Sequence, residues 1–175
     1  MNIFPNFINK VLITGGCGFI GSAVCRRILK ESSVKIFNLD KMGIVSDTKS
    51  IDNLLINLYP SKTEQYKLIP IDISNFTKTK EAVHHADPDL VIHLAAESHV
   101  DRSIDSPSAF INSNILGTFN LLESVRSHWD QLSINRRKNF RFHHISTDEV
   151  FGSLGEEGKF DEGSPYAPRS PYSAS

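Results

Sequence analysis

The chain has 175 residues, 39% of them hydrophobic and 22% charged, the composition of one soluble globular domain with a sizeable core. A formal net charge of -1, with Lys and Arg dispersed apart from Arg136-Arg137-Lys138, gives no electrostatic case for nucleic acid or an anionic membrane surface. No apolar run approaches the ~18 residues of a membrane span, and MNIFPNFINK at the start lacks the basic and apolar segments of a signal peptide. Cys17 and Cys25 are the only cysteines. If Cys17 opens a helix that carries Cys25, a rise of ~1.5 Å per residue sets them about 12 Å apart, beyond disulfide reach. A reduced, cytoplasmic protein is expected.

Lys10 to Thr14 (KVLIT) reads as a strand and leads into GGCGFIG. Gly16, Gly18 and Gly21 satisfy G-x-G-x-x-G, and Gly15, Gly18 and Gly21 satisfy G-x-x-G-x-x-G. Ile20, Val24 and Ile28, with Cys25 and Leu29 beside them, continue as a helix. Glycines between a strand and a helix permit a tight turn, close approach of a pyrophosphate and close helix–strand packing. The phosphates then meet the free N–H groups and positive dipole end of the helix.

A second strand, Val34 to Leu39, ends at Asp40, placed after the glycines where a carboxylate accepts hydrogen bonds from the adenosine ribose of NAD. Its charge disfavours the extra phosphate of NADP, an effect that Lys41 partly offsets. Ile51, Leu54, Leu55 and Leu58 form a weak helical stripe ending at Pro60. A third strand, Tyr66 to Ile71, stops at Asp72-Ile73, read either as the adenine edge or as a turn capped by Asp72. A helix over 77–86 follows, with Ser74 as its capping candidate.

Leu90 to Ala95 (LVIHLA) reads as a central strand opening into AAESHVDRS. A long helix starts near Pro107 and carries Phe110, Ile111, Ile115, Phe119, Leu122 and Val125 on a broad apolar face. The fifth strand, Phe140 to Ile145, empties into Thr147, Asp148 and Glu149. A hydroxyl and two adjacent carboxylates at a strand's carboxyl end suit acid–base chemistry, because neighbouring carboxyls oppose each other's ionisation and can divide into one acid and one base. The bland reading is a polar strand end closing on a turn at Gly152. Alternating strands and helices predict an α/β fold: a Rossmann-type doubly wound parallel sheet with helices on both faces, one NAD-binding domain over 1–175. His143 and His144 alternate across a strand and the other histidines lack ligand spacing, so no metal is expected. A serine hydrolase is disfavoured by the absence of G-x-S-x-G.

Taken together, TGGCGFIGS (14–22), Asp40-Lys41, Asp72-Ile73, HLAAESHVDRS (93–103), SNILGT (113–118), FRFHHISTDEVFG (140–152) and PYSAS (171–175) resemble the N-terminal half of the dTDP-glucose 4,6-dehydratase family, within the extended short-chain dehydrogenase/reductases. Related epimerases lack the Asp-Glu pair, and GDP-mannose dehydratases typically have Ser-Glu there. The resemblance implies NAD contacts from Phe19, Ile20, Asp40, Lys41, Asp72, Ile73, Leu94, Ala95, Ala96, Ser98, Ser113 and Tyr172, and substrate contacts from Ser98 and Thr147. It further implies that Tyr172 takes the proton of the sugar 4-hydroxyl, helped by Thr147, as hydride passes to NAD. Glu149 then takes the C5 proton, Asp148 protonates the leaving C6 hydroxyl, and hydride returns to C6.

The family pattern is Tyr-x-x-x-Lys, and the sequence ends at Ser175, one residue before that lysine and before the later strands and the substrate domain. This polypeptide alone is therefore expected not to turn over, with Tyr172 on a frayed tail and the helix begun by Ser170-Pro171 unformed. The alternatives are a non-catalytic NAD-binding module and an epimerase fragment. Family members form a homodimer through the long helix after Pro107 and the helix following the tyrosine, so the assembly of this chain stays open.

Overall fold

A computed structural model describes residues 3–155 and 157–175; the first two residues of the amino-terminal stretch lie outside it. Five strands form one sheet in the order β3-β2-β1-β4-β5, every pairing parallel. They are β1 (Lys10–Thr14), β2 (Lys35–Asp40), β3 (Tyr66–Pro70), β4 (Leu90–His93) and β5 (Arg141–His144). Chain direction across the sheet reverses at β1 and β4, so the crevice for a ligand lies beyond their carboxyl ends.

Alternation along β1 supplies two cores. Val11 and Ile13 face one side, where Cys25, Ile28 and Leu29 of α1 (Phe19–Glu31) meet Ile51, Leu54 and Leu55. Leu12 faces the other, where Ala82, Val83 and Ala86 of α3 (Phe76–Ala86) meet Leu121 and Val125. Both faces of the sheet are thus covered, which explains the nearly unbroken apolar character of β1 and β4.

The expected stripe at 51–58 forms α2 (Lys49–Asn53) and a π-helical turn (Leu54–Leu58), with Leu58 left exposed. Asn75, not Ser74, caps α3: its side chain accepts the Lys78 amide at 3.0 Å, because the turn at Asp72 places Ser74 one residue too early. A short helix that the sequence reading missed, α4 (Val100–Asp105), precedes α5 (Pro107–Phe110). A π turn (Ile111–Leu116) joins α5 to α6 (Gly117–Gln131), and α7 (Ile134–Asn139) leads to β5.

At the amino ends of the strands, Asp89 accepts the Asn9 and Lys10 amides at 2.9 and 3.1 Å. Arg136 bonds Asp87 and Asp89, each at 2.8 Å. Burial raises the Asp87 pKa, but the hydrogen bonds from Lys10 and Arg136 outweigh it and hold the carboxyl below its usual value. This cluster pins α7 and β4 to β1, fixing which strand ends meet at the opposite edge.

Candidate functional site

The glycine turn follows β1 directly. Gly15 has φ +72, and a side chain there would press on the Ala95 backbone at 2.8 Å, so glycine is required. Gly16 and Gly21 are held as closely, the first over the Asn38 side chain and the second over the Gly15 carbonyl. Gly18 differs: its backbone is extended, and an added Cβ would meet only the Gly15 oxygen at 3.3 Å. It faces open space at the start of α1, which has no side-chain cap and no acid in its first turn. The first amides of α1 have no intrahelical acceptor and point where an anion would sit. Phe19 (94% exposed) and Ile20 (59%) flank that space with uncovered apolar surface.

Buried Asn38, on β2, supports the turn from beneath. Its Oδ1 accepts the Gly16 amide at 2.9 Å, while Nδ2 donates to Tyr66 Oη at 2.8 Å and Cys17 Sγ at 3.2 Å. Burial raises the pKa of the Cys17 thiol, with Asp40 adding to it, and burial pushes Cys25 up to about 12. Both thiols are free and buried.

Asp40 is 6% exposed and organises the loops around it. Oδ2 accepts the Cys17 amide at 2.9 Å, and Oδ1 accepts the Met42 amide at 2.9 Å and the Ser46 hydroxyl at 2.7 Å. Lys41 turns to Glu97, 2.6 Å away, so the pair reaches from the end of β2 over β1 to the segment after β4. Asp72 is exposed, and its Oδ1 accepts the Ser74 amide at 2.8 Å, the turn-capping role considered for it. The Ile73 side chain is buried against α6, where a Cβ on Gly117 would press on it.

A cavity of about 380 Å³ opens at the ends of β4 and β5, lined by Ala95, Ala96, Asn114, Thr118, His144, Thr147 and Tyr172. Thr147 and Tyr172, 25 residues apart in sequence, thus share a wall. Contrary to the expected frayed tail, Tyr172 is half-buried in α8 (Pro171–Ala174). Ser170 and Ser173 cap that turn reciprocally, and the Tyr172 ring packs edge-on to Phe110 at 6.4 Å. Asn114 holds it from the other side, donating to the Ser175 hydroxyl at 2.8 Å and pairing with both the amide and the carbonyl of Glu97.

Thr147 accepts the Glu149 amide at 3.2 Å and starts a 3-10 turn, Asp148–Phe151. Asp148 and Glu149 are exposed on that turn, next to the cavity but not lining it. Leu94 is half-buried; Ser98 is exposed and Ser113 is buried in the π turn, and neither lines the cavity.

In the sequence His93 has no ligand spacing and reads as structural or incidental; it is 1% exposed, and it forms part of the cavity wall. Its Nδ1 is 2.6 Å from Thr14 Oγ1 and its Nε2 2.9 Å from Thr118 Oγ1. Burial, then the His144 imidazole, lowers its pKa to about 4. Asn38, Asn114 and Thr118 were likewise passed over as individual residues. Polar residues with no spacing rule reveal themselves only through their partners.

A doubly wound sheet whose glycine turn and switch-point cavity adjoin defines a Rossmann-type domain. The model of the family described as GDP-mannose 4,6 dehydratase matches residues 12–175, and the chain belongs to that family. It is 46% identical over 169 residues to the dTDP-glucose 4,6-dehydratase of Neisseria meningitidis serogroup B, covering 96% of this chain and 46% of that protein. To the enzyme of the same name from Salmonella typhimurium it is 45% identical over 175 residues, covering 95% and 47%. The chain therefore spans about half the length of the curated relatives it matches.

Among solved structures, the dTDP-glucose 4,6-dehydratase of Bacillus anthracis in complex with NAD superposes with a TM-score of 0.74 at 30% identity, over 94% of this chain and 46% of that one. The UDP-glucose 4-epimerase of Thermus thermophilus in complex with NAD gives 0.76 at 25% identity, over 94% and 46%.

Proposed function

We propose that this chain is the NAD-binding part of a cytoplasmic lyase that dehydrates dTDP-glucose to the 4-keto-6-deoxy sugar nucleotide. The observation that carries the reading is the shared cavity of Thr147 and Tyr172 beside a glycine turn whose open face lies at Gly18. The residues fit the cofactor: uncapped first amides of α1 for the pyrophosphate, the buried Asp40 carboxylate on the adenosine side, and small Ala95 and Ala96 in the cavity wall. NAD bound there supplies a hydride acceptor that ends each cycle unchanged.

The remaining steps belong to side chains. Tyr172 takes the proton from the sugar 4-hydroxyl, which Thr147 holds by a hydrogen bond. Oxidation at C4 acidifies the C5 proton, which Glu149 removes while Asp148 protonates the departing C6 hydroxyl. Their exposed turn beside the cavity suits groups that close on a substrate as it binds. Among partners, a second copy fits the uncovered stripe Ile111, Ile115, Phe119 and Leu122 on the π turn and α6.

Gly18→Val tests the cofactor reading, since the extended backbone accepts a side chain with only a small shift from the Gly15 oxygen while the added bulk fills the space beyond. Calorimetric titration with NAD+ should show at least a roughly 10-fold weaker Kd in a variant that stays folded and loses only a little stability. Unaltered affinity, or no binding by the folded wild-type chain, would refute the placement of the cofactor here.

A further inference from the structure

Thr14 is fully buried, and its hydroxyl has two neighbours: the Ala95 amide, which donates to it at 3.2 Å, and His93 Nδ1 at 2.6 Å. Ala95 N–H cannot accept, so the Thr14 proton goes to Nδ1, the one acceptor in reach among the described residues. With Nδ1 accepting and the imidazole neutral, the ring proton sits on Nε2. Nε2–H then donates to Thr118 Oγ1 at 2.9 Å. The Thr118 hydroxyl proton has no acceptor among the described residues, unlike those of Thr79 and Ser124, which bond carbonyls one helical turn back at 2.8 and 2.7 Å. Thr118 follows the π turn and lines the cavity.

We infer that Thr118 is a ligand-binding residue, its hydroxyl donating to the carboxamide oxygen of the nicotinamide ring, with Thr14 and His93 as positioning residues that fix its direction. This rests on the NAD reading above. Two features of the site select that acceptor. Asp40 places adenosine on the β2 side of β1, so the nicotinamide half extends to the β4 side, where Thr118 stands. The threonine and the neutral imidazole behind it carry no charge to hold a phosphate, whereas a neutral carbonyl oxygen matches a single hydroxyl donor.

The test is calorimetric titration of the wild-type chain, Thr118→Val and Thr118→Ser with NAD+ and with ADP-ribose, which lacks the nicotinamide. Thr118→Val should weaken NAD+ binding about 3- to 10-fold and leave ADP-ribose unchanged, with Thr118→Ser close to wild type. Equal losses for both ligands, or none, would overturn the inference while leaving the cofactor site standing. A folded wild-type chain that binds neither ligand would overturn both. Nitrogen-15 NMR of His93 reads the positioning directly: the Nε2–H tautomer is expected, and the Nδ1–H tautomer would overturn it.

Discussion

Thr14 and His93 meet at 2.6 Å across the buried ends of neighbouring strands, a hydroxyl donating to an imidazole that must stay neutral. Burial, then the His144 ring, depresses the folded-state pKa of His93 from 6.5 to about 4. Between those values the unfolded chain binds the proton and the folded chain does not. The stabilisation is therefore complete above pH 6.5 and drains away as pH falls toward 4, by on the order of 3 kcal/mol at most. Urea unfolding at pH 7.5 and 4.5, compared with His93→Gln, should show the steeper acid loss in the wild type. Identical slopes would place the proton uptake elsewhere.

Asn38 carries the glycine turn on one side chain. Asn38→Leu would leave the buried Gly16 amide without its acceptor and the Tyr66 hydroxyl with the Cys17 thiol alone, at a cost of about 1–3 kcal/mol. Denaturant midpoints would record that loss, and NAD+ affinity should fall with it because the turn loses its shape.

Gly15→Ala forces an L side chain to φ +72 and into the Ala95 backbone. Destabilisation of about 1–3 kcal/mol is expected, larger than that of Gly18→Val, whose backbone is extended and whose one close contact is at 3.3 Å. Thermal unfolding of the two variants side by side separates a glycine demanded by the protein from one left open for a ligand. Equal melting temperatures would erase that distinction.

Arg136→Met removes hydrogen bonds to Asp87 and Asp89 at the end of the sheet remote from the cavity. Asp89, 13% exposed at its side chain, bears most of the cost, about 1–3 kcal/mol. NAD+ affinity measured on the folded variant should not change.

The architecture was legible wherever residues follow a period or a spacing. Apolar runs marked β1 and β4, the glycines marked the turn, and Asp40 followed at its expected interval. Boundaries drifted where local hydrogen bonding decided them, as when the Asp72 turn moved the cap of α3 from Ser74 to Asn75. The order of Tyr172 was missed because four residues after a proline carry no periodic signal. Its turn is held by the Ser170–Ser173 box, by Phe110 and by the bond from Asn114 to Ser175. The cavity's hydroxyl–imidazole chain joins residues from β1, β4 and α6, and no one-dimensional pattern announces such a contact.

The central place of β1 has a kinetic consequence. Its contact with β2 closes a short loop, Gly16 to Asn38 being 22 residues apart, whereas its contact with β4 brings together Lys10 and Asp89, 79 residues apart. The entropy of closing the longer loop is spent before any β1–β4 bond forms, so β4 is expected to dock after the first three strands, an order that pulse-labelled hydrogen exchange would record. Since the cavity is walled by the residues that follow β4 and β5, and Gly15 packs on the Ala95 backbone, both the cavity and the final form of the glycine turn wait on that docking.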